Sequence, residues 1–334
     1  MTETEKTITQ GRLGAAAAIL FGFALVSLCG PGGSEAAEQP AARTVAITFD
    51  DLPHANAADP EAPVPPTLDA VRQANRDILG ALKAHNTPAT GFVVEKRVEE
   101  IGPLGQEILK EWVDANLDLG NHTFSHADSN ALDLAAIEKE IVDGERSIGP
   151  FLFRSAARKP RFLRFPYNHL GNTPEKQEAI AALAAKHGYT LAASTIDTSD
   201  YLFDRAYEKA LAAKDKATTE RIVAAYLDHT REQIVYYANL NRQVLGYEPP
   251  AIMLLHVNRL NAVTLDRILT LFEEAGYGFT TLEAAQADPA YQKPLTAATK
   301  FGPMWGYRWA RDNTIKIDGS TEKEPPEWIV KQGG

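Results

Sequence analysis

The chain has 334 residues and a formal charge of −10, from 34 Lys plus Arg against 44 Asp plus Glu. With 44% hydrophobic and 23% charged residues it is composed like a folded globular protein of one large domain or two ordinary ones. The acidic balance argues against nucleic acid as the main partner, because phosphate binding needs a basic footprint. The single cysteine, Cys29, lies before the expected folded body, which excludes a disulfide scaffold, a cysteine zinc site and a cysteine nucleophile within that body.

Residues 1–12 are polar and include Lys6 and Arg12, and residues 13–28 (LGAAAAILFGFALVSL) form an uncharged apolar run. A run of 16 is short for a membrane span, which needs about 20 residues. A basic flank, a short apolar core and then small residues make residues 1–36 an export signal. An N-terminal membrane anchor is the minority alternative. Ser34-Glu35-Ala36 offers a small-x-small cleavage site, and Val26-Ser27-Leu28-Cys29 resembles a lipobox in which Cys29 would carry a lipid. The expected location is therefore the periplasm or cell envelope, with membrane contact only through an N-terminal lipid or anchor. Residues 37–43 follow as a linker.

From residue 44 the pattern alternates. Residues 44–49 (TVAITF) are a β-branched run stopped by Asp-Asp-Leu-Pro and read as a strand. Residues 67–84 place Leu68, Val71, Ile78, Leu79 and Leu82 on one helical face. Further strands are predicted at 89–94, 117–119, 161–165, 190–196, 251–256 and 277–280. Helices are predicted at 104–115, at 133–148 with Asp133 as N-cap, at 174–187 and at 263–275. Residues 203–245 read as two helices with little punctuation, part of a helical insertion over 202–250. Such alternation implies an α/β fold with a parallel sheet of about seven strands, and a (β/α) barrel fits the count. The domain is expected to span 44–298, followed by a C-terminal extension, 299–334, that is irregular and rich in Pro, Gly and aromatics.

Ionisable side chains collect at the strand ends. Asp50 and Asp51 follow the first strand, His122 and His126 the third, Arg164 and Tyr167 the fourth, Asp197 and Asp200 the fifth, and His256 ends the sixth. His122 and His126 are four apart, which on a helical turn would put both imidazoles on one face. Two imidazoles and a carboxylate can hold one metal ion with a position open for water. On its own, H-x-x-x-H is weak and two unrelated loop histidines would be the better reading; the neighbouring carboxylates reverse that balance. Asp50 and Asp51 would point to opposite sides of a regular strand. A bend at Leu52-Pro53 would bring both into one site, whereas a turn-capping Asp pair is the bland reading.

Thr48-Phe49-Asp50-Asp51, His122-x-x-x-His126, Arg164-Phe165-Pro166-Tyr167, Asp197-x-x-Asp200 and Leu254-Leu255-His256 occur in that order. Together they resemble the five motifs of the polysaccharide deacetylase family (NodB homology, carbohydrate esterase family 4), over residues 44–283. The resemblance implies a distorted (β/α) barrel. It implies that Asp51, His122 and His126 bind one divalent ion, zinc first, with cobalt and nickel as alternatives. By the same resemblance Asp50 is the general base and Arg164 its ion-pair partner. The backbone N–H at Tyr167 stabilises the oxyanion, and His256, kept protonated by Asp200, is the general acid. The implied substrate is an acetylated glycan.

Three positions depart from the family pattern: Tyr201 where Trp is usual, Val257 where many members have Asp, and Asn168 where Gly is common. They put the acyl pocket and substrate preference in question, not the ligands, base or acid. Tyr226, Tyr236, Tyr237 and Tyr247 in the insertion form either a lid beside the site or helix packing, and spacing alone favours packing. His54, His85, His169, His187 and His229 have no evident partners; His54 and His169 lie beside motifs, where lining the cleft is the alternative to the surface role expected for them. Asp197 either faces the site or caps its turn. The aromatics of 301–309 (FGPMWGYRW) are expected to pack the extension on the barrel rather than to bind sugar. The preferred reading is removal of N-acetyl groups. An O-acetyl esterase and an inactive carbohydrate-binding envelope protein are the alternatives.

Overall fold

The computed structural model describes residues 43–57, 59, 62–152 and 161–333. The expected export signal and almost all of the linker lie outside the described residues. Among the described residues no helix is long and apolar enough to cross a membrane.

Seven parallel strands form the sheet: β1 Arg43–Leu52, β2 Ala89–Val93, β3 Asp118–Asn121, β4 Arg161–Leu163, β5 Tyr189–Leu191, β6 Ala251–His256 and β7 Tyr277–Thr280. The hydrogen-bonded order is β5-β4-β3-β2-β1-β6, and β7 pairs with the first residues of β1. The chain after β5 closes this arrangement into a barrel. Ala192 N donates to Leu163 O at 2.8 Å, and four residues on, Ile196 bridges Met253 of β6 in parallel. The fold is thus the distorted (β/α) barrel expected, with an irregular seam where β5 gives way to residues 192–196.

The helices are α1 Leu68–Ala84, α2 Glu95–Ile101, α3 Pro103–Asp114, α4 Leu134–Asp143, α5 Gly149–Leu152, α6 Pro174–Lys186, α7 Asp200–Ala212, α8 Lys216–Leu245, α9 Arg259–Glu274, α10 Leu282–Gln286, α11 Pro289–Gln292, α12 Trp305–Asp312 and α13 Glu327–Gly333. Their starts follow ordinary capping chemistry. The side chains of Thr67, Asp133, Thr173 and Asn258 each accept a hydrogen bond from a backbone N–H three residues on. The longer helices turn an apolar stripe inward, as α1 does with Val71, Ile78 and Leu82. The core lies between these stripes and the sheet. Trp112 of α3 is fully buried, meets Phe49 edge-on at 5.8 Å, and donates its Nε1–H to Asn75 Oδ1 at 3.0 Å.

Two expectations about elements change. The extension is not irregular, because α12 and α13 bury Trp305, Trp309 and Ile329. Tyr237 of α8 and Tyr307 of α12 both donate to Glu322, at 2.5 and 2.6 Å, which ties the extension to the insertion. The first strand does not stop at Phe49. It runs to Leu52 with a register irregularity between Phe49 and Leu52.

Candidate active site

The register irregularity in β1 positions the two carboxylates. Asp51 has φ 68, outside the strand region, so the alternation of side chains is broken there. Asp50 and Asp51 consequently line one cleft of about 670 Å³ at the C-terminal strand ends, with His122, His126, Tyr167 and His256. The bend comes from this bulge inside the strand rather than from the proline after it. His122 and His126 likewise do not share a helical turn. They sit in a loop after β3 in which Thr123 (φ 69) and His126 (φ 64) are left-handed. Their rings nevertheless meet edge-on at 5.2 Å.

Asp51, His122 and His126 present donor atoms within 4.8 Å of one another. His122 Nδ1 lies 2.7 Å from Arg164 O, and a carbonyl only accepts, so Nδ1 carries the proton. In the neutral ring, Nε2 then offers a lone pair, and it faces Asp50 Oδ2 and Asp51 Oδ1 at 3.6 Å each. Asp51 Oδ1 is also 3.2 Å from His126 Nε2. Lone pairs gathered this way can share a cation, and a backbone carbonyl on the far nitrogen, as at His122, is an arrangement that orients metal-binding histidines. The donor set therefore fits a divalent ion of the zinc type. Arg97 Nη1 approaches Asp51 Oδ1 to 2.7 Å, out of hydrogen-bond alignment. Burial opposes the charge on Asp51, but Arg97 and the three imidazoles outweigh it and hold the carboxyl well below the usual range. Burial lowers His126 to about 4.

Asp50 is held from one side. Arg164, buried, donates from Nη1 to Asp50 Oδ1 at 2.8 Å and to Thr48 Oγ1 at 2.9 Å, and from Nη2 to Ala193 O at 2.7 Å. Its guanidinium lies 4.4 Å from the centre of the Phe92 ring. The expected Asp50–Arg164 pair is present, with Thr48 an added partner.

His256 ends β6 and faces Asp200, the first residue of α7. Asp200 Oδ1 is 2.7 Å from His256 Nδ1, and Oδ2 accepts from His256 N at 2.8 Å and from Asn258 Nδ2 at 3.3 Å. Asn261 also donates to Asp200. Burial works against a charged ring, but the Asp200 carboxylate dominates and pushes His256 up to about 10. Tyr201, beside Asp200, sets its ring 6.5 Å from that of His256.

Several residues belong to the site that the sequence did not single out. Arg97 sits in a charged helix that reads as solvated. Asn258 and Asn261 form an N-x-x-N pair just after His256, a signal for a capped helix start aimed at the preceding strand end. Gly302 and Met304 bring the extension to the cleft wall, while Trp305 and Trp309 pack as expected. Asp197 does both things weighed for it: it lines the cleft and its Oδ1 accepts from Ser199 N at 2.8 Å. Of the four insertion tyrosines none lines the cleft, and Tyr226 and Tyr237 are buried in packing.

Two histidines expected at the surface are elsewhere. His54 is fully buried, with Nδ1 accepting from Asn56 N at 3.2 Å, because the chain after the bulge turns back under the cleft. His169 pairs with Asp128 at 2.6 Å and tilts against Tyr167 at 5.6 Å. His85, His187 and His229 also have partners, in Asp266 and Glu273, in Glu138, and in Gln233.

Residues 37–192 match the model of the polysaccharide deacetylase family. A chitooligosaccharide deacetylase of Bradyrhizobium sp. is 29% identical over 147 residues, 43% of this chain and 55% of that protein. A peptidoglycan-N-acetylglucosamine deacetylase of Bacillus cereus is 27% identical over 147 residues, 44% of this chain and 54% of that protein. The chain thus spans about half the length of these curated relatives. Among solved structures, a family 4 carbohydrate esterase from Streptomyces lividans in complex with acetate is 16% identical, with TM-score 0.46 over 74% of this chain and 97% of that one. A CE4 family pseudoenzyme from Bacillus anthracis is 19% identical, with TM-score 0.47 over 74% and 66%. The match over residues 37–192 carries the Asp50-Asp51, His122–His126 and Arg164–Tyr167 strand ends, and over that segment the chain is similar to the polysaccharide deacetylase family.

Proposed function

We propose that the chain is a metal-dependent hydrolase that removes N-acetyl groups from an envelope or extracellular glycan, after export from the cytoplasm. The observation that carries this reading is the convergence, in one cleft, of a three-donor metal group, an ion-paired carboxylate and a carboxylate-paired histidine. One of the two curated relatives is named as a chitooligosaccharide deacetylase and the other for peptidoglycan N-acetylglucosamine, which supports the amide over the ester.

Asp51, His122 and His126 would hold the ion, which when bound supplies Lewis-acid polarisation of an acyl oxygen and activation of water. Asp50 is the base. Arg164 and Thr48 fix Oδ1 on one side, and Oδ2 faces the metal group, in place to take a proton from attacking water. The backbone N–H of Tyr167 is the protein's donor to the developing oxyanion. His256 is the acid: charged through Asp200, it gives its proton to the departing amine as the C–N bond breaks. Tyr201 and Tyr167 are half-exposed at the cleft and offer ring faces to sugar.

The test is acetate release from a panel of N-acetyl and O-acetyl glycans, with metal-stripped protein before and after added zinc. Zinc-dependent release from N-acetyl glycans is expected, reduced on the order of 10²–10⁴-fold by Asp50→Asn. Release from O-acetyl glycans alone would reassign the bond. No release by protein that demonstrably binds zinc would overturn the reading.

A further inference from the structure

The wall of the cleft beside Tyr167 is built by residues far beyond the segment that matches the family. Tyr167 (φ 59, ψ 13) and Asn168 (φ 52) are two consecutive non-glycine residues in the left-handed region. Such a turn is unfavourable by itself and persists only where its surroundings hold it. Here the extension supplies the hold. Arg308 of α12 is fully buried, and its Nη2 donates to Asn168 O at 2.6 Å while Nε donates to Pro303 O at 3.1 Å. Gly302 packs so closely on the turn that a Cβ there would fall 1.6 Å from Tyr167 O. Trp305 N donates to Ser194 O at 2.9 Å, and Ser194 Oγ accepts from Asn168 Nδ2 at 3.0 Å. Burying a guanidinium is costly. The hydrogen bonds of Arg308 run to main-chain carbonyls, one of which closes the left-handed turn.

We infer that Arg308 is a positioning residue of the site: together with Gly302 it holds the Tyr167–Asn168 turn in its left-handed form, and so fixes Tyr167 against His126. The rings of Tyr167 and His126 meet edge-on at 5.0 Å, so a relaxed turn would move the cleft wall next to a proposed metal ligand. Glycine at position 168 would adopt this backbone without strain. Asparagine tolerates this region better than most residues but still at a cost that glycine lacks, and Tyr167 before it has no such tolerance, so Arg308 compensates from the far end of the chain. The inference rests on the reading of the cleft as a deacetylase site, but its structural half does not need that reading.

The experiment uses the full chain with Arg308→Gln and Arg308→Lys, each alone and combined with Asn168→Gly. Hydrogen exchange of the amides at 165–170 is measured beside kcat and KM for acetate release from an N-acetylated chito-oligosaccharide. Arg308→Gln should speed exchange at 165–170 and lower kcat, each about tenfold, with KM within about twofold, an effect of about 1.4 kcal/mol. Asn168→Gly should restore most of both, because it removes the strain that Arg308 holds. Arg308→Lys, which keeps the charge but only one donor nitrogen in place of two, should fall between. Unchanged exchange at 165–170 overturns the inference, and so does a loss that Asn168→Gly fails to restore, which would make Arg308 an anchor for α12 alone. If Arg308→Gln does not fold, Arg308→Lys is judged by the same criteria. A wild-type protein inactive on the glycan overturns the deacetylase reading instead, and the exchange data alone then decide the role of Arg308.

Discussion

His256 is charged at neutral pH because one carboxylate outweighs the burial that opposes it. Asp200 contacts both its Nδ1 and its backbone N–H, and Asn258 and Asn261 hold that carboxylate in turn. The raised value of about 10 means that the acid form, which proton donation requires, persists through the neutral range and is lost only as pH rises through that value. Asp200→Asn keeps the shape and removes the largest charge that raises His256, leaving only Asp51 and Asp50 against burial. The alkaline limb of kcat/KM should then fall well below about 10, toward the ordinary imidazole value of about 6.5. A cation held by Asp51, His122 and His126 repels the imidazolium and lowers both limbs, leaving their difference. An alkaline limb unmoved by Asp200→Asn would remove this pair from the proton-donating role. Stability follows the same sign: the pair contributes below about pH 6.5, and the contribution disappears as pH rises through about 10. At the metal group the readout is independent of turnover. His122→Ala removes one of three donors, and zinc affinity by competitive titration should weaken by more than about 100-fold, since loss of outer partners alone costs 10–100-fold.

At the scale of elements, the helix starts are part of the site. Asn258 caps α9 by accepting from Asn261 N at 2.7 Å, and its Nδ2 reaches Asp200 at 3.3 Å. Asn258→Ala should cost about 1–2 kcal/mol in denaturant unfolding and also lower the His256 limb. An unfolding midpoint equal to wild type would show the cap to be redundant. The strands were readable because β-branched runs and Gly or Asp-Pro punctuation are local signals, and all seven expected strands are present. What was not readable depends on tertiary contact. Helix α12 is a two-turn helix after Phe-Gly-Pro-Met; the spacing of Trp305 and Trp309 gives it one apolar face, but that this face meets α8 as well as the barrel depends on tertiary contact. The same holds within the site. The motifs placed Asp50, Asp51, His122 and His126 at strand ends, but the left-handed backbone at Asp51, Thr123 and His126 falls on residues that carry no glycine signature. Sequence could therefore say which side chains meet, and not by what bends they meet.

For the whole molecule, the extent of the folding unit follows from what the extension buries. Cutting after residue 298, the boundary expected from sequence, removes the buried side chains of Met304, Trp305, Trp309 and Ile329 and uncovers their partners on α7 and α8. Full burial of a large apolar side chain contributes about 1.5–3 kcal/mol. Four such groups rival the about 5–15 kcal/mol that separates a domain from its unfolded state. The cut also breaks the Tyr237–Glu322 hydrogen bond and frees the turn that Arg308 closes. A fragment of residues 44–298 should therefore express as aggregated protein, or melt at least about 10 °C below residues 44–334, as read by thermal unfolding at matched concentration. Cooperative melting within a few degrees of the longer chain would show that the barrel closes without the extension. In that case Gly302, Met304 and Arg308 would be additions to a finished domain rather than parts of it.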